Sequence, residues 1–139
     1  MTSDYAEFTR MLMDDIRSHG AVTTGPMAGR PLMILTTTGA RTGQERTAIV
    51  TYTRDADRYV IAASKSGAPT NPAWYYNLQA NPEVTVELGG EKLRAHARVT
   101  SGAERDRLWK QHAEERPEFR EYPKMTDRVI PMILLERID

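Results

Sequence analysis

Residues 84–99 read Val84-Thr85-Val86-Glu87-Leu88-Gly89-Gly90-Glu91-Lys92-Leu93-Arg94-Ala95-His96-Ala97-Arg98-Val99. Apolar and polar residues alternate on both sides of a glycine pair, which is the two-residue period of strands with one buried face. Two consecutive glycines supply the positive φ angles that a two-residue hairpin turn requires. The turn also sets the register, with Val86 opposite Leu93 and Val84 opposite Ala95 on one face. This hairpin decides the fold class, because a strand pair with one apolar face needs further strands or helices to cover it.

Working outward, Asn71-Pro72 predicts the start of a short helix, with Asn71 capping free N–H groups and Pro72 in the first turn. It runs to about Ala80 and stops before Pro82. Three strands are expected ahead of it. Leu32-Met33-Ile34-Leu35-Thr36-Thr37-Thr38 is an apolar, β-branched run ending at Gly39. Residues 47–53 and 59–64 follow, joined by the turns Gly39-Ala40-Arg41-Thr42-Gly43-Gln44 and Asp55-Ala56-Asp57. Near the N-terminus, Tyr5, Phe8, Leu12 and Ile16 recur at helical spacing over residues 3–19. Asp4 with Glu7 resembles a capping pair, Gly20 stops the helix, and the glycine- and proline-rich residues 20–31 form a loop. Downstream of the hairpin, Ser101-Gly102-Ala103-Glu104 reads as a capping box opening a helix to about Glu115, with Leu108, Trp109 and His112 inward. Pro117 ends it, and Met132-Ile133-Leu134-Leu135 is a last strand. Short strands joined by hairpin-length turns imply an antiparallel sheet, and six of them in so short a chain favour closure into a barrel without exposed edges. The 139 residues suit one α+β domain, 1–139, with an N-terminal helix and loop over 1–30.

Nineteen basic and nineteen acidic residues leave no net charge, so a nucleic-acid partner is not expected. The absence of cysteine excludes a thiol nucleophile, a disulfide framework and cysteine-ligated metal. No signal peptide and no membrane-spanning stretch is expected, which suits a cytoplasmic protein and leaves a peripheral membrane contact open. His19, His96 and His112 show no metal-ligand spacing and read as surface or satisfied residues. Asp14-Asp15 and Glu114-Glu115 are adjacent on helices, point to different faces and make poor acid–base pairs.

The turn after the first strand concentrates donors: hydroxyls, glycine-flexed N–H groups and the guanidinium groups of Arg41 and Arg46. Such a turn can cradle a phosphate or carboxylate, and solvated hairpin charges are the alternative. Ser64-Lys65, at the end of the third strand, can add a further positive charge. Residues 71–77 pack Trp74, Tyr75 and Tyr76 with two amides, the mixture a flat ring system needs; aromatics that simply cover the barrel are the alternative. Side chains alone offer no route to difficult redox chemistry, so any such activity requires a bound cofactor.

Four motifs then occur in order: Thr36-Thr37-Thr38-Gly39-x-Arg41-Thr42-Gly43-x-x-Arg46, Ala63-Ser64-Lys65-x-Gly67-Ala68-Pro69, Pro72-Ala73-Trp74-Tyr75-x-Asn77-Leu78, and Thr126-Asp127-Arg128-x-Ile130-Pro131. The chain resembles the deazaflavin-dependent nitroreductase family, actinobacterial reductases that use reduced coenzyme F-420. The resemblance implies a split β-barrel like those that bind FMN. It implies cofactor contacts at Ala40, Arg41 and Thr42, along Arg46, Thr47, Ala48, Ile49, Val50 and Thr51, at Ala62, Ala63, Ser64 and Lys65, and at Ala73, Trp74, Tyr75, Tyr76 and Asn77. It places the acceptor at Arg116, Phe119 and Tyr122, and it makes a homodimer an expectation. For hydride transfer in such a site the expected catalytic hydroxyls are Ser64, bonding near the ring or the acceptor, and Tyr122, donating a proton or orienting the acceptor.

The family's nitroreductase member carries lysine and proline where this chain has Arg41 and Ile49, and tyrosines at the positions of Arg116 and Phe119. Nitro-prodrug reduction is therefore not carried over, and the expected activity is hydride transfer from reduced F-420 to an electron-poor small molecule, such as a quinone, an enone or a nitro compound. A non-catalytic F-420 carrier and an FMN-binding relative are the two alternatives.

Overall fold

The structure is a computed structural model that describes residues 3–138, with side chains from Glu7 onward in the first helix. The expected cap at Asp4 and the stripe position at Tyr5 lie outside the described side chains. The chain runs α1 (Ser3–His19), β1 (Leu32–Thr38), β2 (Glu45–Asp55), β3 (Arg58–Ala62), α2 (Ala73–Ala80), β4 (Glu83–Leu88), β5 (Glu91–Val99), α3 (Gly102–Glu115) and β6 (Met132–Arg137). Short 3-10 helices cover Lys65–Gly67 and Pro117–Lys124.

The six strands close into an antiparallel barrel in the order β1-β2-β3-β6-β5-β4. The β4–β5 hairpin has the expected register, Val86 opposite Leu93 and Val84 opposite Ala95. The barrel closes where β1 meets β4, with Leu35 opposite Val86. β2 is longer than its apolar run suggests because it serves two neighbours in turn. Glu45 to Thr51 pair with β1, and Tyr52 to Asp55 pair with β3.

Pleating sorts the side chains into an interior and an outer layer. Met33, Leu35, Ile61, Ile133 and Leu135 point inward and meet Val84, Val86, Leu93 and Ala95. The alternate residues Val60, Met132 and Leu134 point outward, where Leu108 of α3 and Phe119 cover them. Leu32 and Ile34 face Ile16 of α1 and Val22. Both faces of β1, β3 and β6 are thus buried, which accounts for their unbroken apolar runs, whereas β4 and β5 alternate because their outer residues are half-buried along β4, where Glu87 pairs with Arg17 of α1, and exposed along β5. Each such aliphatic side chain contributes about 1.5–3 kcal/mol on leaving water.

Two expected helix caps are replaced. Pro72 precedes α2 as its cap residue, and Asn71 instead accepts a hydrogen bond from Arg128 Nη1 at 2.7 Å. Ser101 makes no side-chain cap at α3, and Glu104 pairs with Arg98 at 2.8 and 3.1 Å. In both places an arginine from elsewhere in the chain takes the side chain: Asn71 gains a charge-assisted bond, and Glu104 gains a two-pronged pairing with a guanidinium in place of a single bond to a backbone N–H. Asp15 is engaged rather than merely solvated: it accepts from the Thr23 N–H at 2.7 Å, which holds its carboxyl below the usual range.

Candidate functional site

The β1–β2 turn is held by its own backbone and by α2. The Gly39 N–H donates to the Gln44 carbonyl at 2.7 Å and the Gly43 N–H to the Gly39 carbonyl at 3.0 Å. A Cβ on Gly39 would stand 2.8 Å from Thr42 Oγ1 and 3.2 Å from the Gln44 oxygen, so the turn closes this tightly only around glycine. Asn77, buried on α2, accepts from the Ala40 N–H at 3.0 Å and donates to Thr37 Oγ1 at 3.1 Å. One amide therefore fixes the turn to the helix that carries Trp74. Among the described residues the N–H groups of Arg41 and Thr42 find no acceptor, and they remain available to an anion.

Beside the turn lies a cavity of about 580 Å³ between Arg41, Arg46 and the α2 residues Trp74, Tyr76 and Asn77. A second cavity of about 530 Å³ runs along β2 past Val50 and Thr51 to Ser64 and Lys65, and on to Phe119 and Tyr122. Both are bordered by Thr47, Ala48 and Trp74, so the two form one groove with the indole between them. Arg41 and Arg46 flank one half and Lys65 the other. None of the three has a carboxylate partner among the described residues, whereas Arg17, Arg58, Arg98 and Arg107 each do. The volumes fall in the range of cofactor and substrate sites, about 300–1,000 Å³.

Lys65 enters the groove from a backbone that a side chain rarely adopts. Its φ is 46° and that of Ser66 is 53°, followed by Gly67 at 82°. Left-handed non-glycine residues cost on the order of 1 kcal/mol or more each and persist where their surroundings hold them. Lys65 Nζ donates to Thr70 Oγ1 at 3.4 Å, its one side-chain hydrogen bond among the described residues.

At the far end, aromatic rings stack edge-on. His112 meets Phe119 at 4.5 Å between centroids, and Phe119 meets Tyr122 at 5.1 Å. His112 is fully buried on the inner side of α3, as its helical position predicts, and shares a 2.8 Å hydrogen bond with Thr53 through Nδ1, while Nε2 has no partner. Burial, and secondarily the Arg116 cation, hold its pKa down to about 4.

Most residues picked from sequence line this groove: Ala40, Arg41, Thr42, Arg46, Ala73, Trp74, Tyr76 and Asn77 in the first half, Ile49 to Thr51, Ala62, Ser64, Lys65, Phe119 and Tyr122 in the second, with Thr47 and Ala48 common to both. Three do not. Ala63 is buried in the barrel interior, and Tyr75 packs against that interior because the helical turn carries it inward. Arg116 ends α3 with its Nε buried and unpartnered, off the groove lining. Sequence reasoning assigned no role to Arg128 and missed Asn71 as its partner, although Arg128 sat in a recognised motif. Among the described residues no cluster suits a metal ion, and no helix is long and apolar enough to cross a membrane.

A family model described as F420H(2)-dependent quinone reductase matches residues 8–137. An F420H(2)-dependent quinone reductase of Mycobacterium tuberculosis is 38% identical over 133 residues, covering 88% of this chain and 89% of that protein. A solved F420-H2 dependent reductase, FDR-A, is 40% identical with a TM-score of 0.71, covering 77% of this chain and 95% of that one. A solved chain described as a domain-swapped dimer is 34% identical with a TM-score of 0.73, over 96% of this chain and 100% of that one.

Proposed function

The chain belongs to the F420H(2)-dependent quinone reductase family, and on that premise we propose that the groove from the Gly39–Gly43 turn to Tyr122 is its active site. The protein is an oxidoreductase that transfers a hydride from reduced coenzyme F-420 to an electron-poor acceptor of the quinone type. The observation that carries the site assignment is the flanking of one groove by Arg41, Arg46 and Lys65, cations without a carboxylate partner among the described residues.

The residues present fit such a cofactor. Arg41, Arg46 and the Arg41 and Thr42 N–H groups would hold its anionic phosphate and polyglutamate tail; each charge-assisted bond contributes about 1.5–3 kcal/mol. The indole of Trp74 and the walls of Ala48 and Val50 offer apolar surface to a flat ring and keep water from it. Reduced F-420, when bound, supplies the hydride. Phe119 and Tyr122 wall the acceptor end, where the Tyr122 phenol or the Ser64 hydroxyl delivers the proton that completes reduction of a carbonyl oxygen. Holding donor and acceptor in one groove supplies the orientation component of catalysis. The groove continues past the indole to this second cavity, which supports an enzyme over a carrier: a carrier needs no place for an acceptor.

Pairing of two copies is part of the proposal, supported by the relative described as a domain-swapped dimer. The decisive experiment is a titration of the purified protein with F-420 and with FMN, followed by turnover of reduced F-420 with menadione. Binding of F-420 with bleaching of its absorbance on turnover is expected. Tight FMN binding with no affinity for F-420 would overturn the cofactor, and F-420 binding without turnover of any acceptor would overturn the enzyme.

A further inference from the structure

The segment 125–131 carries a motif that the proposed chemistry does not use. Its Arg128 reaches across to the loop after β3 and spends all three guanidinium nitrogens there. Nε donates to the Ala68 carbonyl at 2.9 Å, Nη1 to the Ala63 carbonyl at 3.0 Å and to Asn71 Oδ1 at 2.7 Å, and Nη2 to the Ser64 carbonyl at 2.7 Å. The four acceptors lie on both sides of Ser64 and Lys65 and include the residue that precedes Pro72 and α2. None is a carboxylate, and among the described residues Arg128 has no ion-pair partner. A planar cation placed among neutral oxygens serves to gather them, since a surface ion pair needs only one carboxylate.

The strain in that loop gives the arrangement its purpose. Lys65 and Ser66 are left-handed, and only two backbone bonds close the turn, Gly67 N–H to the Ser64 carbonyl at 3.0 Å and Ala68 N–H to the Lys65 carbonyl at 3.1 Å. The same segment adds a steric contact: a Cβ on Gly67 would stand 2.8 Å from Met125 Sδ, so Met125 docks where glycine leaves room. We infer that Arg128 is the positioning residue that holds the 63–71 loop in the conformation directing Ser64 and Lys65 into the groove. The loop geometry stands by itself; only its consequence for F-420 rests on the proposed function.

Lysine at 128 keeps the charge and loses the fork, so Arg128→Lys separates gathering from electrostatics. Hydrogen exchange of the cofactor-free protein is the first readout. The Gly67 and Ala68 amides should exchange on the order of tenfold or more faster in Arg128→Lys, with barrel amides such as Leu35 and Leu134 unchanged. The F-420 dissociation constant should rise about tenfold, the loss of one well-placed cation. Wild-type exchange at Gly67 and Ala68 in a folded Arg128→Lys would overturn the inference. Should that variant not fold, the wild type still decides. Protected Gly67 and Ala68 amides before any F-420 is added support the inference, and exchange at coil rates until F-420 binds overturns it. Loop loosening in Arg128→Lys in a protein that binds no F-420 would retain the positioning role and reject the cofactor reading.

Discussion

Acidification from about pH 7.5 to about pH 5 should cost this protein about 2 kcal/mol of stability through His112. The ring is fully buried, its Nδ1 is spent on Thr53, and its Nε2 faces no acceptor, so a second proton would arrive without a partner. Burial is the larger cause and the Arg116 cation the next, and together they hold the pKa at about 4 against an ordinary 6.5; Glu118 opposes weakly. Between those values the unfolded chain binds a proton that the folded chain refuses. Stability is therefore level above 6.5, falls as the pH drops, and has lost its full share of about 3 kcal/mol below 4, at 1.36 kcal/mol for each pH unit. Asp15, Asp55 and Glu104 have carboxyls held below their usual range, so their contribution is lost only at still lower pH. Urea unfolding at the two pH values measures the difference directly, and the melting temperature should fall by roughly 5–10 °C. The control is His112→Gln, which cannot titrate: less stable throughout, it should show a flatter dependence between the two pH values. A wild type and a His112→Gln variant that lose the same stability on acidification would refute the reasoning.

Three further outcomes follow from the groove. Arg46→Ala and Lys65→Ala should each weaken F-420 binding by on the order of tenfold or more in a fluorescence titration, without altering the melting temperature appreciably; unchanged affinity in both would reject the placement of the cofactor. Asn77→Ala leaves the Ala40 N–H and the Thr37 hydroxyl without partners and should cost about 1–3 kcal/mol in urea unfolding, with a weaker F-420 complex as well. Gly39→Ala puts a methyl against Thr42 Oγ1 and the Gln44 carbonyl, so the turn must open; loss of cofactor affinity well beyond the loss of stability is expected, and an intact complex by titration would show that the turn tolerates opening.

The sequence made the strands plain wherever burial imposed a period. Leu32–Thr38 and the 84–99 hairpin are legible because pleating repeats every two residues and a glycine pair fixes the turn. β2 was legible only in its middle, since Glu45, Arg46, Arg54 and Asp55 join the ladder through backbone bonds that polar side chains do not announce. The caps failed for one common reason: Asn71 and Glu104 were drawn away by Arg128 and Arg98, partners 57 and 6 residues distant that no local rule sees. The cations of the groove were legible as residue types in a glycine-bracketed turn. Their relation to Trp74 and Tyr122 came from the resemblance, because it depends on barrel closure. Arg116 shows the limit of such transfer: the resemblance placed it at the acceptor, but it ends α3 off the groove lining with its Nε buried and unpartnered.

The uneven coating of the barrel has an evolutionary consequence. Strands β1, β3 and β6 are hemmed in on both sides, so drift there is confined to swaps of near-equal volume. Lys92, Arg94, His96 and Arg98 look outward from β5, far less hemmed in by neighbours. A saturation scan would return a striped map, intolerant through three strands and permissive along every second residue of β5. Descendants of this chain can restyle that stripe, for solubility or for a new partner, with little disturbance to the groove.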